Sequence, residues 1–131
     1  MYHTLTIQTQ KDGFYDLTGK VRDIVASSKI ESGICVIYSP HTSCGITINE
    51  NADPDVQHDL KIAYTQAFPE DSSYRHNEGN SSAHAKVSAI GSSATVFVEK
   101  CDLLLGIWQA VYLVEFDGPR TRRVFVKVIA E

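Results

Sequence analysis

The strongest constraint on this chain is a period of two that returns at both ends of the sequence. Between Tyr2 and Gln10, Leu5 and Ile7 alternate with Thr4, Thr6 and Gln8. Ile46 and Ile48 alternate with Thr47 and Asn49, Ser93 to Glu99 alternates as well, and Val124, Val126 and Val128 alternate with Arg123, Phe125 and Lys127. Successive side chains of a strand point to opposite faces, so each run reads as a strand with one face on a core and the other on water. Ile34 to Tyr38, apolar and rich in β-branched residues, reads as a buried strand. Gly106 to Phe116 reads as a long strand containing Trp108, Gln109 and Glu115. Asp117-Gly118-Pro119 is a turn, and the strands on either side of it are expected to pair as an antiparallel hairpin.

Between the strands the period lengthens. Lys11 to Gly13 supply a turn, and Asp16 or Thr18 can cap a helix from Leu17 to Lys29 carrying Val21, Ile24 and Val25 on one side. Asp53 stands at the N-cap of a second helix and Pro54 at its first position, where the missing N–H costs nothing. Val56, Leu60, Ala63, Tyr64 and Ala67 then form one stripe up to Phe68. Pro69 to Asn80 is a polar loop, and Asn80 or Ser81 can cap a short helix ending at Ile90, unless that segment is extended. With strands at both ends and helices between them, the expectation is an α+β fold. It is a two-layer, antiparallel, β-sandwich-like arrangement with two to three helices, and residues 1–131 form a single domain.

Composition narrows the function classes. The chain is 43% hydrophobic and 21% charged, the balance of an ordinary globular protein. A formal net charge of −4 argues against general nucleic-acid backbone binding, which depends on clustered cations. Arg120, Arg122, Arg123 and Lys127 are read as a solvated face. Cys35, Cys44 and Cys101 are odd in number and lack paired spacing, which fits a reducing cytoplasm. The N-terminal run has no secretory pattern, and no stretch reaches the roughly 18 apolar residues of a membrane span, so neither nucleic acid nor membrane is an expected partner.

The densest chemistry lies between Pro40 and Asp59. His41, Thr42 and Ser43 follow one strand, and Asn49, Glu50, Asn51, Asp53 and Asp55 precede a helix. Asp53-Pro54 is either a helix start and nothing more or, with free N–H groups beyond it, an anion site. Of the five histidines, His3 and His58 read as bystanders. His41, His76 and His84 stand in polar settings at element boundaries, and three imidazoles suffice for a divalent metal with an open position. Asp59 could orient one of them. Cys44 could form a nucleophile pair with His41, although a small buried hydrophobe is the preferred reading. Pro54 breaks any calcium loop begun by Asn51, Asp53 and Asp55.

The runs His41-Thr42-Ser43 and Ile46 to Pro54, the pair Ala83-His84 followed by Lys86, and Gly106-x-Trp108-Gln109 leading to Glu115 and Asp117-Gly118-Pro119-Arg120 resemble the YjbQ family over nearly the whole chain. The resemblance implies a sandwich-like α+β domain, a homotrimer, and a thiamine-phosphate synthase activity regarded as secondary. The family's motif positions fall on His41, Thr42, Ser43, Asn49, Glu50, Asn51, Asp53, Asp59, His84, Lys86, Trp108, Gln109 and Glu115. That chemistry joins a pyrimidine diphosphate to a thiazole phosphate and expels pyrophosphate, which calls for cationic or metal neutralisation of the leaving group.

Two functions are therefore expected. The first is a small cytoplasmic enzyme, a transferase acting on an anionic or phosphorylated molecule. A divalent metal, zinc or, with a diphosphate substrate, magnesium, would be held by His41, His76 and His84. Asp59 and Lys86 would be catalytic, as orienter or base and as anion partner. Thr42, Ser43, Asn49, Asn51, Trp108 and Gln109 would bind substrate, and the site could lie between subunits. The second is a non-catalytic module binding an anion or a partner through the Asp53-Pro54 helix start and the Arg120 to Arg123 patch.

Overall fold

The computed structural model describes residues 1–131. Strand β1 (His3–Thr9) leads through a tight turn into β2 (Gly13–Asp16), α1 (Thr18–Ser28) and β3 (Ser32–Tyr38). Then come β4 (Cys44–Glu50), α2 (Pro54–Ala67), α3 (Ser81–Ile90), β5 (Ser93–Glu99), β6 (Asp102–Leu103), β7 (Gln109–Glu115) and β8 (Arg120–Ala130). Every pairing is antiparallel. The strands form one sheet in the order β1-β8-β3-β5-β6 and a second in the order β2-β7-β4.

The two sheets face each other across one core. Ile7, Cys35, Ile37, Val96, Val98, Val124 and Val126 come from the larger sheet, and Ile46, Val111 and Leu113 from the smaller. Leu17, Val21 and Val25 of the α1 segment are wholly buried among them. Strand β7 is buried on both faces. Its alternate residues Ala110, Tyr112 and Val114 pack outward with Phe14, Tyr64 and Phe116, where α2 lies across the small sheet and Gln57 donates to the Tyr112 hydroxyl at 3.2 Å. The stripe expected on α2 is shallow, since none of its residues is fully buried. Helix α3 abuts β4 closely. A Cβ at Gly45 would stand 2.6 Å from the Gly91 carbonyl oxygen, so only glycine admits the approach that lets Ile46 N–H donate to that same oxygen.

The α+β class and the two antiparallel layers agree with the expectation, and three differences have physical causes. The hairpin expected of the last two strands does not form. β7 pairs with β2 and β4, β8 pairs with β1 and β3, and the turn between them carries the chain from one sheet to the other. The inward faces of both strands thereby meet the core instead of each other's edges. Strand β7 starts at Gln109 rather than Gly106, because the Gln109 carboxamide folds back to accept from Gly106 N–H at 2.8 Å and closes a turn. Finally, β2 falls partly where a turn was expected; four residues on a sheet edge are too few to display a period.

Arg122 is the largest departure. It was expected on a solvated face and is only 3% exposed, while its partner Glu115 is 0% exposed. Arg122 donates from Nε to Glu115 Oε1 at 2.8 Å and from Nη2 to Oε2. Thr9 Oγ1 donates to Oε1 at 2.7 Å, and Asp117 N–H to Oε2 at 3.1 Å. Burial pushes the Glu115 carboxyl up, but the bonds from Arg122 and Thr9 and the Arg122 charge outweigh it and hold the group below its ordinary range. The pair joins β7 of one sheet to β8 of the other. Glu115→Ala leaves a buried guanidinium without compensation and is expected to cost about 3–5 kcal/mol, whereas Glu115→Leu combined with Arg122→Met should recover most of that loss. Urea unfolding of the three proteins checks this; a loss below about 1 kcal/mol in the single variant would contradict the assigned role.

Candidate functional site

Ser39–Ser43 connects β3 of the large sheet to β4 of the small one, so its backbone must cross the open end of the sandwich. Internal bonds fix its shape. Ser39 N–H donates to Ser92 O at 2.8 Å, His41 N–H to Ser39 Oγ at 3.3 Å, and Phe116 N–H to Ser43 O at 3.2 Å. Arg122 Nη2 donates to Ser43 Oγ at 2.9 Å, so the inter-sheet ion pair also grips this loop. The loop, the segment His76–Asn80, the first turns of α3 and the start of β8 enclose a cleft of about 420 Å³ with no hydrophobic residue in its wall.

Three histidines line it: His41, His76 and His84. The Nδ1 of His84 lies 2.8 Å from Thr42 O, which can only accept. The proton is therefore assigned to Nδ1, leaving Nε2 with a lone pair. A carbonyl holding Nδ1–H is the outer support that metal-binding histidines use. The His84 and His76 rings meet edge to face with centroids 5.4 Å apart. His41 differs, because its Nε2 accepts the Arg123 main-chain N–H at 3.0 Å, so its proton belongs on Nδ1. Burial, then the charges of Arg122 and Arg123, hold its imidazole below the ordinary 6.5.

The cleft wall is rich in groups that favour negative charge. Arg120 donates to the Asp117 carbonyl and carboxylate at 2.9 and 2.8 Å. Asn80 occupies the N-cap of α3, as expected, but its side chain does not cap. The Nδ2 group is drawn 2.8 Å from Asp117 Oδ2, and Oδ1 is buried with no partner. The first N–H groups of α3 are left without a side-chain acceptor, which favours an anion at that end. Glu78 is the only carboxylate in the wall. Nowhere do three or more His, Cys, Asp or Glu side chains gather closely enough to hold a metal ion.

The residues singled out from the sequence divide into four places. His41, Thr42, Ser43, His76 and His84 share the cleft. Asn49, Asn51, Trp108 and Gln109 lie at the opposite end of the β4–β7 ladder, where Glu50 pairs with Gln109 and Asn51 N–H donates to Trp108 O. Six residue steps of strand carry the chain from Cys44 to Glu50, roughly 20 Å, so the two groups do not form one compact site. Asp59 sits on the exposed face of α2, 3.1 Å from His58 Nδ1. Lys86 lines a separate cleft beside Phe116. Cys44 is fully buried against Ser39 Oγ with its thiol pushed up by burial, which agrees with its reading as a small core residue.

Asn80 and Glu78 were not anticipated in the site, and Arg120 and Arg122 were expected only in the anion-binding patch of the second reading. For Arg122 the signal existed, since it shares parity with Val124 and Val126 and must point inward with them. Arg120, two positions earlier on β8, shares that parity, whereas Glu78 and Asn80 come from a loop, where no period applies.

Acid should loosen this end of the molecule in two stages. His41 binds its proton less readily when folded, so stability declines as pH falls below about 6.5 and until its lowered folded value is passed. Glu115 and Asp117, both held low, contribute stability present above their ordinary values of 4.5 and 3.8 and lost as pH falls through the folded ones. Urea midpoints measured from about pH 8 to 3 should show both declines. The upper one should vanish in His41→Gln, and an unchanged profile in that variant would exclude His41 as its source.

A family model described as "UPF0047 protein YjbQ-like" matches residues 3–131. The chain is 47% identical to the UPF0047 protein YugU of Bacillus subtilis, covering 98% of this chain and 99% of that one. It is 32% identical to the UPF0047 protein YjbQ of Escherichia coli O157:H7, over 86% and 84%. A crystal structure of a YjbQ/UPF0047 protein from Clostridium acetobutylicum superposes with a TM-score of 0.94 at 47% identity, covering 97% and 99%. A protein of unknown function from Sulfolobus solfataricus gives 0.95 at 29% identity, covering 100% and 97%. The chain belongs to the UPF0047, YjbQ-like family.

Proposed function

We propose that the histidine cleft is the working site of a small enzyme acting on an anionic, phosphorylated molecule. The observation that carries this reading is the fixed tautomer of His84: Thr42 O holds Nδ1, and Nε2 is left with a lone pair in a cleft that also contains His76. A lone histidine on a solvated surface needs no such support. The uncapped start of α3 supplies the positive side of the site, while Arg120 and Arg122, whose charges are paired with Asp117 and Glu115, line its wall.

A divalent ion fits the donors by type and falls short by count. His76 and His84 would suit zinc, with substrate or water completing the set, whereas magnesium would have to be held by the oxygens of a diphosphate substrate; His41 would have to give up its bond to Arg123 N–H to serve as a ligand. When bound, such an ion would supply Lewis-acid neutralisation of negative charge. His41 itself would act through Nδ1–H as a hydrogen-bond donor to an anionic oxygen. The reaction class we propose is transfer with release of pyrophosphate, the thiamine-phosphate synthase chemistry that the family resemblance implies as a secondary activity. Asp59 has no part in this reading, because its carboxylate lies outside the cleft.

Cytoplasmic residence and a homotrimer belong to the same proposal. Three free thiols support the first, and no helix is long and apolar enough to cross a membrane. Tyr38, Phe97 and Ile129, all exposed on the outer face of the larger sheet, support the second.

Metal content of untagged protein, with zinc supplied in excess and then dialysed, tests the reading. Wild type should retain the ion, His84→Ala should fall to background, and His41→Ala should retain it while losing pyrophosphate-releasing activity. Full metal content in His84→Ala would remove the centre of the proposal. Ligand binding without turnover would favour the non-catalytic anion-binding alternative.

A further inference from the structure

Lys86 of α3 and Lys61 of α2 converge on a second cleft, of about 200 Å³, which shares no wall residue with the histidine cleft. Its walls include Tyr64 and Phe116, and Gly13 lies at its rim. Lys86 Nζ stands 5.6 Å from the centre of the Phe116 ring, which keeps its stem folded against the protein. Lys61 Nζ hangs over Gly13, 3.9 Å from where a Cβ would be, and a side chain longer than glycine's would begin to close that rim.

Neither ammonium takes part in any of the four ion pairs of the chain. Of the two carboxylates at the cleft, Glu115 is neutralised by Arg122, and Asp12 offsets only one of the two positive charges. Glu115 is bound on both oxygens by Arg122, Thr9 and Asp117 N–H, and Asp12 Oδ1 accepts Gly118 N–H at 2.9 Å. Two like charges brought to one small cleft from different helices repel each other, and an anion between them removes the conflict.

We infer that this cleft is a second anion site, independent of the histidine cleft, and that it takes the phosphate group of a small phosphorylated molecule. Two point-like ammonium groups match the double charge of phosphate better than the single charge of a carboxylate. The volume holds a phosphate group with room to spare, so part of the rest of the ligand would lie in the cleft and any remainder would extend past Gly13 into solvent. The aromatic walls lower the local polarity and strengthen the attraction.

Amide spectra of the full chain titrated with inorganic phosphate, against acetate at matched ionic strength, test the assignment. The Gly13 and Phe116 amides should shift and saturate with phosphate. Lys86→Gln or Lys61→Gln should weaken that response about tenfold each, in line with loss of one charge-assisted bond, and the double variant should abolish it. Lys61→Arg with Lys86→Arg should retain saturable binding. Both lysines are at least partly exposed, so the folded state should survive every substitution. No saturable shift at Gly13 and Phe116, an equal response to acetate, or an undiminished response in the double glutamine variant would overturn the inference.

Discussion

The arrangement of this molecule depends on one buried ion pair, Glu115 with Arg122. Each partner sits where its own strand's alternation demands an inward side chain, and the two strands belong to different sheets. Burying two opposite charges rarely stabilises a fold more than apolar residues of the same volume would, because desolvation consumes most of the attraction. The pair is better understood by what it holds. Arg122 also grips Ser43, and the same short loop presents Thr42 O to His84 and the His41 ring to Arg123 N–H. A chain of direct contacts thus runs from the sandwich interior to the imidazoles of the cleft. An apolar replacement could restore the packing and would leave that loop without its anchor.

Most of the architecture could be read from periods in the sequence, because a two-layer sandwich with one wetted face per strand writes itself as alternation. Where it could not be read, the cause is specific. Alternation tells which way a side chain points and is silent about which strand lies alongside, so the turn at Asp117–Pro119 looked like a hairpin although it changes sheets. Parity would have placed Arg122 inside with Val124, but its charge and its basic neighbours argued for solvent; the missing piece was Glu115, whose inward position shows only once β7 is known to be buried on both faces.

The site was legible in part for the same reason. His41, His76 and His84 lie in three segments with no spacing rule between them, and the fold brings them to one cleft. Residues near each other in sequence were separated instead. Ser43 and Asn49 are six positions apart, but a strand is the most extended form the chain can take, so those six positions carry Asn49 to the far end of the sheet. Helix geometry removed Asp59 in a similar way, turning it to the solvent face of α2 while Tyr64 turned inward to Phe116.

Charge distribution bears on what kind of anion such a molecule can admit. The chain as a whole carries −4, and a polyanion lying along its surface would meet that repulsion over its whole length. Four of the twelve Lys and Arg residues stand at two small concavities, Arg120 and Arg122 beside the histidines, and Lys61 and Lys86 beside Phe116. Within a Debye length of about 8 Å, the local groups dominate over the distant net charge. Under the two proposals above, a small ligand whose charge is compact would suit either concavity better than an extended one. This favours single phosphate groups over nucleic acid, and it follows from where the charges lie more than from how many there are.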